Sequence, residues 1–444
     1  MSVEISTRRR RDVIDALRRG TVPHNGLDVL AVGLDRFVAS VDEDIATVVD
    51  GGAVFKAVRG EYGAGKTFFT RWLAERAKRA GLASAEVQIS ETETPLHRLE
   101  TVYRRIVESL ATEEFPPSAL RPVLDSWMYT LEEDVLAGGG VSEDDAEALD
   151  TAVTELMERR LGIIGRNAPT FAAAIRGYRA AVTAGDVATA EGLAAWLGGQ
   201  PNIAASVRRT AGVKGELDHF TALGFLQGLL TVLRDCGHPG LLVVLDEVET
   251  LQRMRSDVRD KALNALRQLI DEIDSRRFPG LYLVITGTPA FFDGTQGAQR
   301  LAPLAQRLAT DFTTDPRFDN PRAVQLRLPG FNAEGLRDLG VRVRDLFVAD
   351  LPERDRVLGV VDDAYISLLA EAVTGQLGGK VGVAPRVFLK KLIADVLDRV
   401  ELHPDFDPRR DYQLTLRAAE LTDVERNAAG LGVASVDDIE LDLS

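Results

Sequence analysis

The sequence predicts an α/β fold, a parallel sheet interrupted by a large helical insertion and followed by an all-helical domain. Three observations carry the prediction. Short β-branched apolar runs alternate with helical stretches on both sides of the insertion within the first 330 residues. The glycine-rich GEYGAGKT of residues 60–67 lies between one such run and one such stretch. From about 113 to 215 the alternation gives way to Ala-, Leu- and Glu-rich segments such as DDAEALDTAVTELMERRLG.

Taken in order, AVFKAV from Ala53 to Val58 reads as a buried strand that stops at the glycine-rich turn. TFFTRWLAERAKRAG then places Phe68, Trp72 and Leu73 on one helical face, with basic residues at its C-terminal end where the helix dipole favours them. A second strand is expected from Ala85 to Ile89, and PLHRLETVYRRIVESL after it repeats apolar residues at helical spacing. Beyond the insertion come a helix in FTALGFLQGLLTVLRDCG, a strand from Leu241, a helix in ALNALRQLIDEID, a strand from Leu281 and a strand in AVQLRLPGF from Ala323. From residue 331 to 402 the pattern is helical throughout, which predicts a small lid-like domain. The polar, acidic residues 403–444 are expected to form a loosely held tail.

The 444 residues carry 53 Lys and Arg against 68 Asp and Glu, a net charge of −15, which argues against a surface coated in nucleic-acid contacts. Cys236 is the single cysteine, so an internal disulfide and a multi-cysteine zinc site are excluded and a reducing compartment is indicated. The basic N-terminus is followed by no apolar stretch, and nowhere do about 18 apolar residues run together. A cytoplasmic protein with no membrane segment is the expectation.

GEYGAGKT fits G-x-x-x-x-G-K-[ST] in its required strand–loop–helix setting, the pattern of a P-loop. Gly60, Glu61, Tyr62, Gly63, Ala64 and Gly65 would wrap backbone amides around phosphates, Lys66 would reach the β- and γ-phosphates, and the Thr67 hydroxyl would help to hold Mg²⁺. LLVVLDEVE supplies five apolar residues and then Asp246 and Glu247, a Walker B pattern. Its strand would release the acids at the C-terminal sheet edge, where such sheets bind ligands. Asp246 would hold Mg²⁺ through water, and Glu247 would orient the attacking water. LYLVITGTP ends in Thr286 and Thr288, candidates in that order for a hydroxyl beside the γ-phosphate. Arg307 in LAPLAQRLATDF and Arg386 in APRVFLKKL are candidate charge stabilisers, with Arg300, Arg317 and Arg322 as rivals to Arg307. The five histidines show no metal-ligand spacing, and Trp72, Trp127 and Trp196 read as core.

On GEYGAGKT, LVVLDE, the strand ending ITGTP, Arg307 after it and APR in the helical domain, the chain resembles the AAA+ ATPases, in particular their origin-recognition and transposition-regulator branch. VFKAVRGEYGAGKTFFTRWLAE, EVQISETETPLHRLETVYRRIV and LLVVLDEVETLQ are more narrowly similar to the BrxD-type ATP-binding proteins of bacteriophage-exclusion (BREX) defence systems. The resemblance implies ATP and Mg²⁺ as cofactors, a homo-oligomer, and work in phage defence beside other system proteins. It implies Walker A roles for Lys66 and Thr67, Walker B roles for Asp246 and Glu247, the first sensor at Thr286, the arginine finger at Arg307 and the second sensor at Arg386.

Two departures qualify the resemblance. The insertion sets Asp246 180 residues after Lys66, and only 42 acidic and polar residues follow residue 402, where origin-type ATPases carry a winged-helix DNA reader. Non-specific DNA contacts remain open at the basic clusters Thr7 to Arg11 with Arg18 and Arg19, at Lys390 with Lys391, and at Arg208 with Arg209. Three functions follow in order of expectation: an ATPase that remodels a DNA-associated defence complex, an ATP-gated binding module with little hydrolysis, and a transposition- or origin-like DNA loader.

Overall fold

The computed structural model describes residues 6–379 and 385–428. Five parallel strands form one sheet in the order β2-β3-β4-β1-β5: β1 (Val54–Arg59), β2 (Ala83–Gln88), β3 (Leu241–Asp246), β4 (Leu281–Gly287) and β5 (Gln325–Arg327). The expected α/β P-loop architecture is therefore present. Both central strands are buried on their two faces, as parallel strands under helices must be. Their side chains alternate: Val243, Leu245, Leu283 and Ile285 enter one core, and Leu242, Val244, Tyr282 and Val284 enter the other.

The second core is roofed by α2 (Asp35–Val49) and α3 (Lys66–Arg79). No element was expected over 35–49, yet buried Phe37, Val41, Ile45 and Val48 fall at helical spacing. α3 ties down the preceding loop through polar groups: Arg71 Nη1 donates to Val22 O at 2.7 Å, Trp72 Nε1 to Asp28 at 2.9 Å, and Glu75 accepts the amides of Gly26 and Leu27.

The first core lies under α4 (Leu99–Ser109), the insertion helices α5 (Leu120–Ala137), α6 (Ala146–Asn167), α7 (Pro169–Thr183), α8 (Val187–Leu197) and α9 (Ala205–Thr210), then α10 (His219–Asp235) and α11 (Ser256–Asp274). The insertion is fused to the sheet layer by an aromatic cluster around Phe225 of α10. Its ring meets Tyr103 at 5.7 Å, Phe171 at 5.2 Å and Trp196 at 5.4 Å, all edge-on. Each such pair adds about 0.5–1.5 kcal/mol to simple burial. Trp72, Trp127 and Trp196 are core residues, as expected.

After the short helices α12 (Pro289–Asp293) and α13 (Ala302–Arg307), the helical domain expected as a lid comprises α14 (Ala333–Val348), α15 (Arg354–Val360), α16 (Asp363–Gln376), α17 (Pro385–Lys390) with a π-helical turn over Lys391–Leu397, and α18 (Asp398–Leu402). It has its own core, to which α1 (Thr7–Arg18), Leu30 and the C-terminal segment also contribute. α1 inserts Val13, Ile14 and Leu17 there, and Arg18 grips Asp398 with bonds of 2.7 and 2.9 Å. The run of arginines hid this apolar stripe in the sequence.

The C-terminal segment corrects the loose-tail expectation over its described part. Phe406, Tyr412, Leu414 and Leu416 pack on the lid, Leu421 is buried in it, and the short helices α19 (Pro408–Asp411) and α20 (Asp423–Ala428) follow. Residues 429–444 lie outside the described residues. Among the described residues no helix is long and apolar enough to cross a membrane.

Candidate functional site

Strand register brings the motifs together. Val58 pairs with Thr286 and Gln88 with Asp246, so the loop after β1 and the last residues of β2, β3 and β4 share the C-terminal sheet edge. Gly60 N–H donates to Gly287 O at 3.2 Å, and the loop then turns through Gly63 and Gly65 at φ of 80° and 85°. Side chains rarely tolerate that backbone. Helix α3 begins at Lys66, so its first amides, which have no partner within the helix, open toward the loop.

Lys66 is nearly buried, with Nζ donating to Gly60 O at 2.9 Å and Glu61 O at 3.3 Å and lying 5.2 Å from the Tyr62 ring centre. Glu61 and Tyr62 are exposed, and Ala64 is buried below them. Thr67 Oγ1 donates to Asp246 Oδ2 at 3.3 Å. The other Asp246 oxygen accepts the Thr286 hydroxyl and, at 3.1 Å, the Glu247 amide, while the same amide lies 3.2 Å from Thr286 Oγ1. Four of the predicted residues, Thr67, Asp246, Glu247 and Thr286, are thereby joined by hydrogen bonds, with Lys66 beside them at the same edge. Thr288 is buried just before α12, and Thr286 is the one that reaches Asp246.

Glu247 adopts φ 61°, a left-handed conformation that costs about 1–3 kcal/mol for a residue with a side chain. Its carboxylate accepts Gln88 Nε2 at 2.9 Å. Gln88 was not among the expected site residues, although a polar residue closing the EVQ strand was visible. Nor was Glu249, which lies buried with Oε1 3.9 Å from Lys66 Nζ. Burial pushes that carboxyl above the usual carboxylate range despite the opposing pull of Lys66.

Residues 5–416 match the family described as BREX system ATP-binding protein BrxC/D. The chain belongs to this family. One solved structure similar to it is that of the Aeropyrum pernix ORC2 protein in its ADPNP–ADP complexes, at 13% identity and a TM-score of 0.33, covering 81% of this chain and 67% of that one. No curated protein matches it.

In this BrxC/D-family chain the donor set suits Mg²⁺. Thr67 and Asp246 offer hard oxygens side by side, and Mg²⁺ commonly takes one or two protein oxygens and completes its shell with water and phosphate. Among the described residues no cluster of three or more His, Cys, Asp or Glu forms a dedicated metal cage.

The two arginines do not join the site within this chain. Arg307 lines a cavity of about 680 Å³ with Gly51, Gly52 and Ala53, which precede β1, and with Val324, which precedes β5. It therefore stands at the N-terminal sheet edge, about 20 Å from the P-loop along six residues of strand. There it pairs with Asp271 and donates to Pro303 O at 2.8 Å. Arg386 is held by Glu425 through both prongs of its guanidinium and donates to Glu420 O at 2.7 Å. Arg386, expected as the second sensor, is thus paired with a buried carboxylate that the C-terminal segment brings to it. The basic clusters are partly spent in the same way, with Arg10 on Asp350 and Lys391 on Glu420 and Asp395.

Proposed function

We propose that this chain is an Mg²⁺-dependent ATPase that works in bacteriophage exclusion by remodelling or regulating a DNA-associated complex beside other defence proteins. The observation that carries the reading is the joined set at the sheet edge, in which Thr67 and Thr286 both bond Asp246 and Glu247 follows it. Bound Mg²⁺ would neutralise phosphate charge during transfer. Gly60 to Gly65 bind the phosphates through amides, and Lys66 exchanges its loop carbonyls for phosphate oxygens. Thr67 and Asp246 present the oxygens for the ion, and Thr286 holds Asp246 at its angle. Glu247, once released from Gln88, accepts a hydrogen bond from the attacking water and orients it. Arg307, far from the P-loop of its own chain, serves the site of a second copy in a homo-oligomer.

A second reading is favoured by a specific set of contacts. Glu247, Arg307 and Arg386 are each engaged by a neighbour, Gln88, Asp271 and Glu425 respectively. A chain with all three withdrawn binds ATP as a switch and turns over little until a partner or assembly rearranges them. ATP turnover per subunit over a wide range of protein concentration, with and without double-stranded DNA, separates the two. Specific activity that climbs with concentration supports the ATPase reading, and flat, near-zero turnover beside demonstrated ATP binding supports the switch.

A further inference from the structure

One carboxylate beside Lys66 has no part in that mechanism. Glu249 lies three residues after Asp246 in a short 3₁₀ turn whose Val248 and Leu251 are fully buried, which fixes the rotation of the segment. Both Glu249 oxygens are sealed from solvent and neither accepts a hydrogen bond from another residue. A buried carboxylate without donors is costly, and proteins rarely keep one without a use for it. The nearest cation is Lys66, with Nζ 3.9 Å from Oε1, and among the described residues no other carboxylate lies within ion-pair distance of that ammonium.

We propose that Glu249 is the resting counter-ion of Lys66, displaced when the ammonium moves to the phosphates of a bound nucleotide, so that this carboxylate holds down affinity for di- and triphosphates. The inference rests on the ATP-binding reading of this site. An ammonium has three donors, and here two go to Gly60 O and Glu61 O while Glu249 supplies the balancing charge. When the β- and γ-phosphates recruit Lys66, Glu249 is left buried without its cation, with Asp246 and Glu247 adding negative charge nearby. The penalty falls on ligands that bring phosphates to Lys66 and spares those that do not.

The test is titration calorimetry on the full chain with Mg²⁺ and three probes: a non-hydrolysable ATP analogue, ADP and AMP. Glu249→Gln is expected to bind the ATP analogue and ADP about tenfold more tightly, equivalent to about 1.4 kcal/mol, with AMP affinity unchanged. Glu249→Asp, which draws the charge back by one methylene, is expected to give a smaller gain with the same pattern, and it decides the matter should the Gln variant not fold. Folded variants with unchanged or weaker ADP affinity overturn the proposal, as does an equal gain for AMP. Failure of the wild-type chain to bind any of the three removes instead the nucleotide reading beneath it.

Discussion

Gln88 Nε2 donates to Glu247 Oε2 at 2.9 Å, bridging the ends of β2 and β3. The amide holds the carboxylate that the hydrolysis reading needs for water. Gln88→Ala is expected to raise kcat for ATP several-fold with KM little changed. Steady-state kinetics at saturating ATP decides it: an unaltered kcat means the bond does not restrain the carboxylate.

Glu247→Gln keeps the size of the side chain and removes its basicity. It is expected to bind ATP as the wild type does and to lose about 10²-fold or more of turnover. Lys66→Ala, lacking the ammonium now on Gly60 O and Glu61 O, is expected to lose binding itself. Filter binding of labelled ATP alongside phosphate release separates the two defects, and full turnover in Glu247→Gln would remove that residue from the mechanism.

Much of this site was readable before the fold was known, for a local reason. The glycines, Lys66 and Thr67 sit within eight consecutive residues, and LLVVLDE reports both a buried strand and the acids at its end. Register then brings Asp246 level with Gln88, and Thr286 within hydrogen-bond reach of Asp246, as sheet pairing requires. What was not readable depends on contacts distant in sequence. Arg386 and Glu425 are 39 residues apart, and no pattern in APRVFLKKL announces the carboxylate that claims the arginine. Glu249 was in plain view in LDEVE, but its burial follows from how Val248 and Leu251 seat the turn. The α1 stripe of Val13, Ile14 and Leu17 was masked by the arginines around it, of which Arg8, Arg9 and Arg11 are exposed.

Arg307 at the N-terminal sheet edge predicts a complementation result. Arg307→Ala and Lys66→Ala proteins are each expected to be inactive, because one lacks the donated arginine and the other the phosphate-binding lysine. Mixed, they form assemblies in which an intact P-loop from the first meets Arg307 from the second, and turnover returns. An arginine supplied in this way is worth about 10³–10⁵ in rate, so even a minority of correct pairs is measurable. A mixture as inactive as its parts argues that Arg307 only braces α11 through Asp271.

Glu425 is nearly buried and holds Arg386 while also accepting the Thr422 amide at 2.7 Å. Removing one partner of such a pair strands the other and costs about 3–5 kcal/mol when both are buried, less here because a third of Arg386 is exposed. Glu425→Gln is expected to loosen the segment beyond Leu416, seen as new protease cleavage there, with the sheet domain unaffected. Unchanged cleavage would show that buried Leu421 and the Lys391–Glu420 pair suffice to hold the segment.

The raised pKa of Glu249 makes a stability prediction with a definite sign. Because burial lifts its carboxyl above the ordinary range, between the ordinary and the raised value the folded chain holds a proton there that the unfolded chain has already lost. Stability contributed at this position is therefore present at acid pH and declines as pH rises through the raised value. Glu249→Gln has no charge to lose. Its melting temperature is expected to match the wild type at acid pH and to exceed it as pH rises above the ordinary carboxylate range, by an amount corresponding to about 1–3 kcal/mol for an unsatisfied buried group. Melting curves of the two proteins across that range check both sign and window. A variant less stable than the wild type at neutral pH would mean that attraction to Lys66 outweighs the cost of burial, and that the carboxylate is a net anchor for the loop.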